Sequence, residues 1–162
     1  MDKQLTWTKG LLENTYQLFE NGLIINTLFF DTWKNEARSI GKENTFLFKT
    51  NSFFDSNTQI LTGKGEILGV INFDLWQSKA VVNLASGEQF ACNFNNYLFS
   101  KWTITNFKDK QLFYYSNTTS GTITTNTDDE LMVLSGLFIR EHYSRALVLF
   151  IIFVALFVII IT

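Results

Sequence analysis

Proline is absent from the 162 residues, and cysteine and histidine occur once each, as Cys92 and His142. One cysteine excludes a disulfide framework within the chain and any multi-cysteine metal site. One histidine excludes a two-histidine zinc site. Charge is scarce as well, at 17% of residues against a usual share of about 25%. Thirteen Lys and Arg against fifteen Asp and Glu give a net charge of −2, so no basic footprint for nucleic acid is present. Apolar side chains are abundant instead: 46% of residues are hydrophobic and 16% aromatic, with 17 Phe. That balance excludes disorder. The length suits one domain with a real hydrophobic core.

The two ends differ sharply. Residues 1–14, MDKQLTWTKGLLEN, carry Asp2, Lys3 and Lys9 and lack the apolar run of about 7–15 residues that a secretory signal needs. Export by a cleaved signal is therefore not expected. Residues 146–161 contain no polar side chain, and fourteen of them are Leu, Ile, Val or Phe. On an insertion scale they contribute at most about −4 to −8 kcal/mol. As a helix the run spans about 25 Å, slightly short of a hydrocarbon core of ~30 Å. A helix apolar on every side belongs in a membrane or in the centre of a large core; the β-branched and aromatic content favours the membrane. Arg140, His142, Tyr143 and Arg145 lie just before the run, as boundary residues do, and the two arginines favour a cytoplasmic N-terminal side. The expectation is a tail anchor over 146–162 that contacts membrane lipids.

Between residues 16 and 125 short β-branched and aromatic runs recur, separated by Asn, Asp, Gly and Ser. This spacing is that of a sandwich or barrel. Strands are expected at 16–19, 23–30, 36–40, 45–50, 58–61, 67–73, 79–84, 89–94, 102–106, 111–115 and 122–125. The lack of proline fits strands whose ladder donors are in use. An internal repeat reinforces this. Gly22 to Ala37 overlays on Gly65 to Ala80 with six of sixteen positions identical, including Phe30, Asp31 and Trp33 against Phe73, Asp74 and Trp76. Each copy reads as strand, polar turn and return strand. Phe and Trp are expected in the core and Asp at the turn, rather than as two equivalent ligand sites.

A second apolar stretch follows Asp128, Asp129 and Glu130, acidic residues placed where a helix dipole favours them. Residues 131–139, LMVLSGLFI, carry no charge. They are too few to cross a bilayer and have no polar stripe, so protein must surround them. A barrel threaded by one helix does this, with Ser135 and Gly136 allowing close approach to its wall.

On these features the chain resembles the tubby C-terminal-like family, which includes tubby, the phospholipid scramblases and the plant LURP-one-related proteins. The resemblance covers roughly residues 16–143. It rests on the strand spacing, on the hairpin segment ILTGKGEILGVI at 60–71, and on the helix at 131–139. It implies a mainly β fold, about 11–12 short antiparallel strands forming a barrel around a central hydrophobic helix. The chain departs from it in lacking a basic phosphoinositide-binding cluster. Nor do Asp128, Asp129 and Glu130 have the alternating spacing of a calcium loop.

Signs of chemistry are few. Gly63, Gly65 and Gly69 imitate a nucleotide loop, but a strand follows them instead of a helix, so a hairpin turn is expected. Cys92 has no partner base other than His142 and reads as a small strand residue. His142 reads as a solvated interfacial side chain. Asp31 and Asp74, equivalent by repeat, lack the contrasting environments of an acid/base pair. Asn117 to Thr119 forms a sequon, read as a turn. Lys101, Lys108 and Lys110 could touch an anionic surface but are diluted by Asp109. No catalytic, cofactor-binding or metal residue is assigned. The expected organisation is an N-terminal arm (1–15), a barrel (16–127), a central helix with a boundary collar (128–145) and a transmembrane anchor (146–162). The expected role is a non-enzymatic accessory or scaffold subunit of a membrane complex. The alternative is a lipid-binding or scramblase-like protein. One helix from about residue 129 to 162 is expected to serve as both core and span.

Overall fold

A computed structural model describes residues 2–11, 13–31, 34–51, 56–74 and 78–161. Trp33 and Trp76 of the repeat lie outside the described residues. Twelve strands run in chain order: β1 (Lys3–Lys9), β2 (Thr15–Glu20), β3 (Leu23–Asp31), β4 (Glu36–Gly41), β5 (Phe46–Lys49), β6 (Asn57–Thr62), β7 (Ile67–Asp74), β8 (Lys79–Leu84), β9 (Gln89–Phe94), β10 (Lys101–Thr105), β11 (Gln111–Ser116) and β12 (Ser120–Thr125). One helix, α1 (Glu130–Ile161), follows them. Each strand pairs antiparallel with its neighbours in sequence, and β1 pairs with β12 to close the barrel. The protein is mainly β, a closed twelve-strand barrel with one C-terminal apolar helix.

Eleven strands match the expected ones to within two residues at each end. The twelfth, β1, lies in the segment expected to be an arm outside the barrel. Its alternation is clear in hindsight, with Leu5 and Trp7 buried and Gln4, Thr6 and Thr8 exposed. Leu5 pairs with Ile123 on one side and Glu20 on the other. Without β1, both β2 and β12 would present open edges, which closure removes.

The same period of two fills the interior. Ala80 and Val82, Phe90 and Cys92, Trp102 and Ile104, and Leu112 and Tyr114 are buried and point inward, as alternate strand residues must. The turns use local chemistry. Asn21 and Gly22 both take positive φ, 51° and 79°, as a two-residue hairpin of the favoured twist requires. At the glycine-rich segment, Thr62 Oγ1 accepts the backbone N–H groups of Lys64 and Glu66, an ordinary hairpin turn.

The repeat forms two equivalent hairpins, β3–β4 and β7–β8. Phe30 pairs with Ala37 as Phe73 pairs with Ala80. Equivalence extends to the backbone: Asn35 and Ser78, 43 residues apart, share φ of 51°. Asp31 Oδ1 accepts the Lys34 N–H at 3.1 Å, a turn cap. Phe30 and Phe73 are both buried, and both approach Phe138 of α1, at ring-centroid distances of 5.7 and 6.5 Å.

The helix starts where polar groups receive it. Asp129 Oδ1 accepts the Met132 N–H at 3.1 Å, an N-cap. Lys110 bridges Glu88 and Asp129, both at 2.9 Å, while Asn26 and Asn44 donate to Glu130. Lys110 is thus held by two carboxylates beside the helix start. Along α1 residues 132–135 and 137–143 are buried. From Val148 to Ile160 every large side chain is exposed.

Candidate functional site

Antiparallel order divides the connections into two rims. One rim holds the β2–β3, β4–β5, β6–β7, β8–β9 and β10–β11 connections and the start of α1; we call it the proximal rim. The other holds β1–β2, β3–β4, β5–β6, β7–β8, β9–β10 and β11–β12, and is the distal rim. Glu130 bonds to proximal residues, whereas Glu141 bonds to Lys9 and Tyr16 at the distal ends of β1 and β2. Eleven residues of helix rise about 16 Å, close to the ~17–20 Å of a five- or six-residue strand.

At the distal rim the side chains of α1 form a charged cluster. Glu141, with 5% of its side chain exposed, accepts hydrogen bonds from Lys9 Nζ at 2.8 and 2.9 Å, Tyr16 OH at 2.7 Å and Arg145 Nε at 2.8 Å. Burial alone would raise its pKa, but Lys9, Arg145 and Tyr16 outweigh that and hold it below the usual carboxylate value. Arg140 donates to Tyr16 OH at 2.8 Å, and its guanidinium lies 5.1 Å from the Trp7 ring and 5.8 Å from Trp102. Arg145 reaches Asn14 and covers the face of Phe30 at 5.0 Å. Burial and Glu141 raise the Tyr16 pKa, with Arg140 acting against them, so the phenol stays a donor.

His142 and Tyr143 are as buried as the arginine before them. His142 stacks on Phe73 with ring centroids 4.0 Å apart. Burial, with Arg145 nearby, lowers its pKa to about 4. The solvated side chain expected at this position is instead packed and neutral at pH 7, because the helix faces a wall of strand residues here. Tyr143 donates to the backbone carbonyls of Asp74 and Lys79. Of the four boundary residues, then, three lie buried, and Arg145 is half-covered with 25% of its side chain exposed.

Beside this cluster a groove of about 910 Å³ opens to solvent. Its floor carries Lys9, Arg140, Glu141 and Arg145. Its walls include Leu11, Leu98, Val148 and Leu149, the last two belonging to the first exposed turns of α1. The four ionisable side chains leave two positive charges in excess. Ser116 Oγ, also lining the groove, has no hydrogen-bond partner among the described residues.

Elsewhere the chemistry is structural. Cys92 is fully buried, and burial pushes its thiol pKa up, so no thiolate is available. Among the described residues no group of three His, Cys, Asp or Glu could hold a metal ion. Asp31 and Asp74 sit in separate hairpins at equivalent turns, and the structure does not bring them together as a pair of reacting groups. Sequence reasoning passed over Lys9, Tyr16, Trp7 and Trp102. The signal for the first was slight: a lysine two residues beyond a buried tryptophan points to the inner face of its strand.

α1 is long and apolar enough to cross a membrane; an 18-residue window of it has mean hydropathy 2.6 and is 6% buried. No family model, curated protein or solved structure matches the chain.

Proposed function

We propose that this chain is a membrane protein held by the apolar part of α1, a non-enzymatic accessory or scaffold subunit of a membrane protein complex. Its barrel stands on the cytoplasmic side, and residues 146–161 form the span. One observation carries the reading. Large apolar side chains are exposed on every side from Val148 to Ile160, at 43–82% of their free surface. Water does not tolerate a continuous apolar sleeve of this size on a monomer, and hydrocarbon does. Arg140 and Arg145 precede the span, which supports the cytoplasmic side for the barrel.

The first third of α1 is inferred to fill the barrel lumen. Contacts from strands all around the sheet support this: Phe30 of β3 and Phe48 of β5 stack on Phe138, Phe94 of β9 meets Tyr143, and Tyr114 of β11 donates to the Val133 carbonyl. A helix in the lumen would take up the space that a small ligand would need, which favours a role played on outer surfaces. Twelve strands and such a helix also fit the tubby-like resemblance, which stays at the level of architecture.

Extraction in mild detergent followed by affinity capture of the full chain tests the subunit reading. Stoichiometric co-purification of a membrane protein is expected. Recovery as a monomer alone would overturn it. The second reading, a lipid-binding protein, is favoured by the groove with its excess positive charge beside the span.

A further inference from the structure

Exposed apolar side chains occur at both rims of the barrel, but only at the distal rim do they sit beside the apolar half of α1. Proximal connections 42–45, 63–66, 85–88 and 106–110 are mostly small, polar or charged, with Phe107 their single large apolar side chain, while Leu23, Ile40 and Ile67 are exposed at the adjoining strand ends. Of the distal connections, 117–119 is polar, whereas two others carry large apolar side chains. In 10–14 Leu11 is 75% exposed, and in 95–100 Tyr97 and Leu98 are 90% and 78% exposed.

A turn has no need of large apolar residues at its tip, and short hairpins favour Gly, Asn and Asp there. Exposed tips such as Leu11, Tyr97 and Leu98 suit a partner that is apolar at one depth and polar at the next. The interface of a bilayer is such a partner, and Tyr and Trp are the side chains enriched in it. Position decides between a bilayer and a protein. The apolar half of α1 emerges at this same rim, and Leu11 and Leu98 line one groove with Val148 and Leu149. If residues 146–161 span a membrane, the distal rim is held at the height of its headgroups. The floor of the groove, Lys9, Arg140 and Arg145 against Glu141, then faces lipid phosphates with two positive charges in excess.

We propose that the distal rim is a second membrane contact. The tips at Leu11, Tyr97 and Leu98 enter the interface, and the groove between rim and helix takes the headgroup of an anionic phospholipid. The barrel is seated flat on the bilayer rather than swinging from its anchor. This inference rests on the anchor reading, and the test separates the two.

The full chain is prepared with one added cysteine at a time: Leu98→Cys on the distal rim, Lys64→Cys on the proximal rim, or Phe153→Cys in the span. Cys92 is 1% exposed and does not compete for label in the folded protein. Each variant is labelled with an environment-sensitive fluorophore and reconstituted into phosphatidylcholine vesicles with or without phosphatidylglycerol. Quenching by lipids spin-labelled near the headgroup or deep in the chain is then read. The expected result is loss of most emission at residue 153 to the deep quencher, loss at residue 98 to the shallow quencher, and none at residue 64. Quenching at residue 98 should be greater with phosphatidylglycerol present. Quenching at residue 153 with none at residue 98 overturns the rim contact and leaves the anchor standing. No quenching at residue 153 overturns the anchor itself. Equal quenching at residue 98 in both vesicle types removes the anionic headgroup from the proposal.

Discussion

A histidine next to a predicted membrane boundary invites a reading as a wet, titrating side chain, and His142 is neither wet nor charged at neutral pH. It lies flat on Phe73, and burial, with Arg145 nearby, lowers its pKa from 6.5 to about 4. Unfolding exposes it and restores an ordinary value. Between pH 6.5 and 4 the unfolded chain therefore binds a proton that the folded chain refuses, and stability falls as pH falls. Above pH 6.5 the contribution is complete. At pH 5 the loss is about 2 kcal/mol. Glu141 adds to it in the same direction at lower pH, since its pKa is held below 4.5 and its stabilisation vanishes as it protonates. Chemical denaturation of the detergent-solubilised full chain at pH 7.5 and pH 5 should show the difference. The His142→Phe variant keeps the stacking surface and should lose most of the change between the two values. An unchanged slope in that variant would assign the acid sensitivity to another group.

Among the elements, the helix is the one whose residues answer to two different surroundings. Its first half is held by shape. A Cβ at Gly136 would overlap the Tyr114 hydroxyl and ring, and would come within 2.9 Å of an Ile104 methyl. Tyr114 is 1% exposed, stacks on Trp102 at 4.6 Å and bonds to the helix carbonyls, so it has nowhere to move. Replacing a helical glycine by alanine ordinarily stabilises by about 0.8–1 kcal/mol. Overpacking in a core costs about 1–3 kcal/mol. At Gly136 the second effect outweighs the first, so Gly136→Ala is expected to lower stability by about 1 kcal/mol, measured as a shift in denaturation midpoint. A rise in stability would mean that the helix stands further from β11 than these contacts require.

The strands obey a simpler rule, and most were legible. Most of the eleven showed a run of β-branched and aromatic residues closed off by Asn, Asp or Gly, because a half-buried strand must alternate and its turns need positive φ or side-chain caps; β4 was carried by its place in the repeat. β1 escaped because its two inward residues, Leu5 and Trp7, lie among five polar ones. Its strand character comes from pairing with β12, more than a hundred residues away, and a local pattern carries no trace of that partner.

For the whole molecule, the question is whether barrel and span are separable. Phe30, Phe48 and Phe73 all approach Phe138, which lies well before Arg145. Truncation after Arg145 is therefore expected to give a folded, soluble protein with unchanged β-sheet circular dichroism. Aggregation with loss of that signal would mean that residues 146–161 belong to the core and that the protein need not meet a membrane.

By itself the amino-acid sequence determined the strand-rich body, the hairpin repeat and a helix from about residue 129 to the end. Each depends on local periodicity, turn chemistry or the absence of a polar side chain. The tertiary structure alone decided that β1 closes the barrel, and that Lys9, Tyr16, Arg140 and Arg145 gather around Glu141 within one cluster. It also decided that His142 stays neutral and that Leu11 and Leu98, from two different loops, line one groove. These outcomes depend on which distant residues share a neighbourhood. Burial and Coulomb energy are set by that neighbourhood, and no stretch of contiguous sequence contains it.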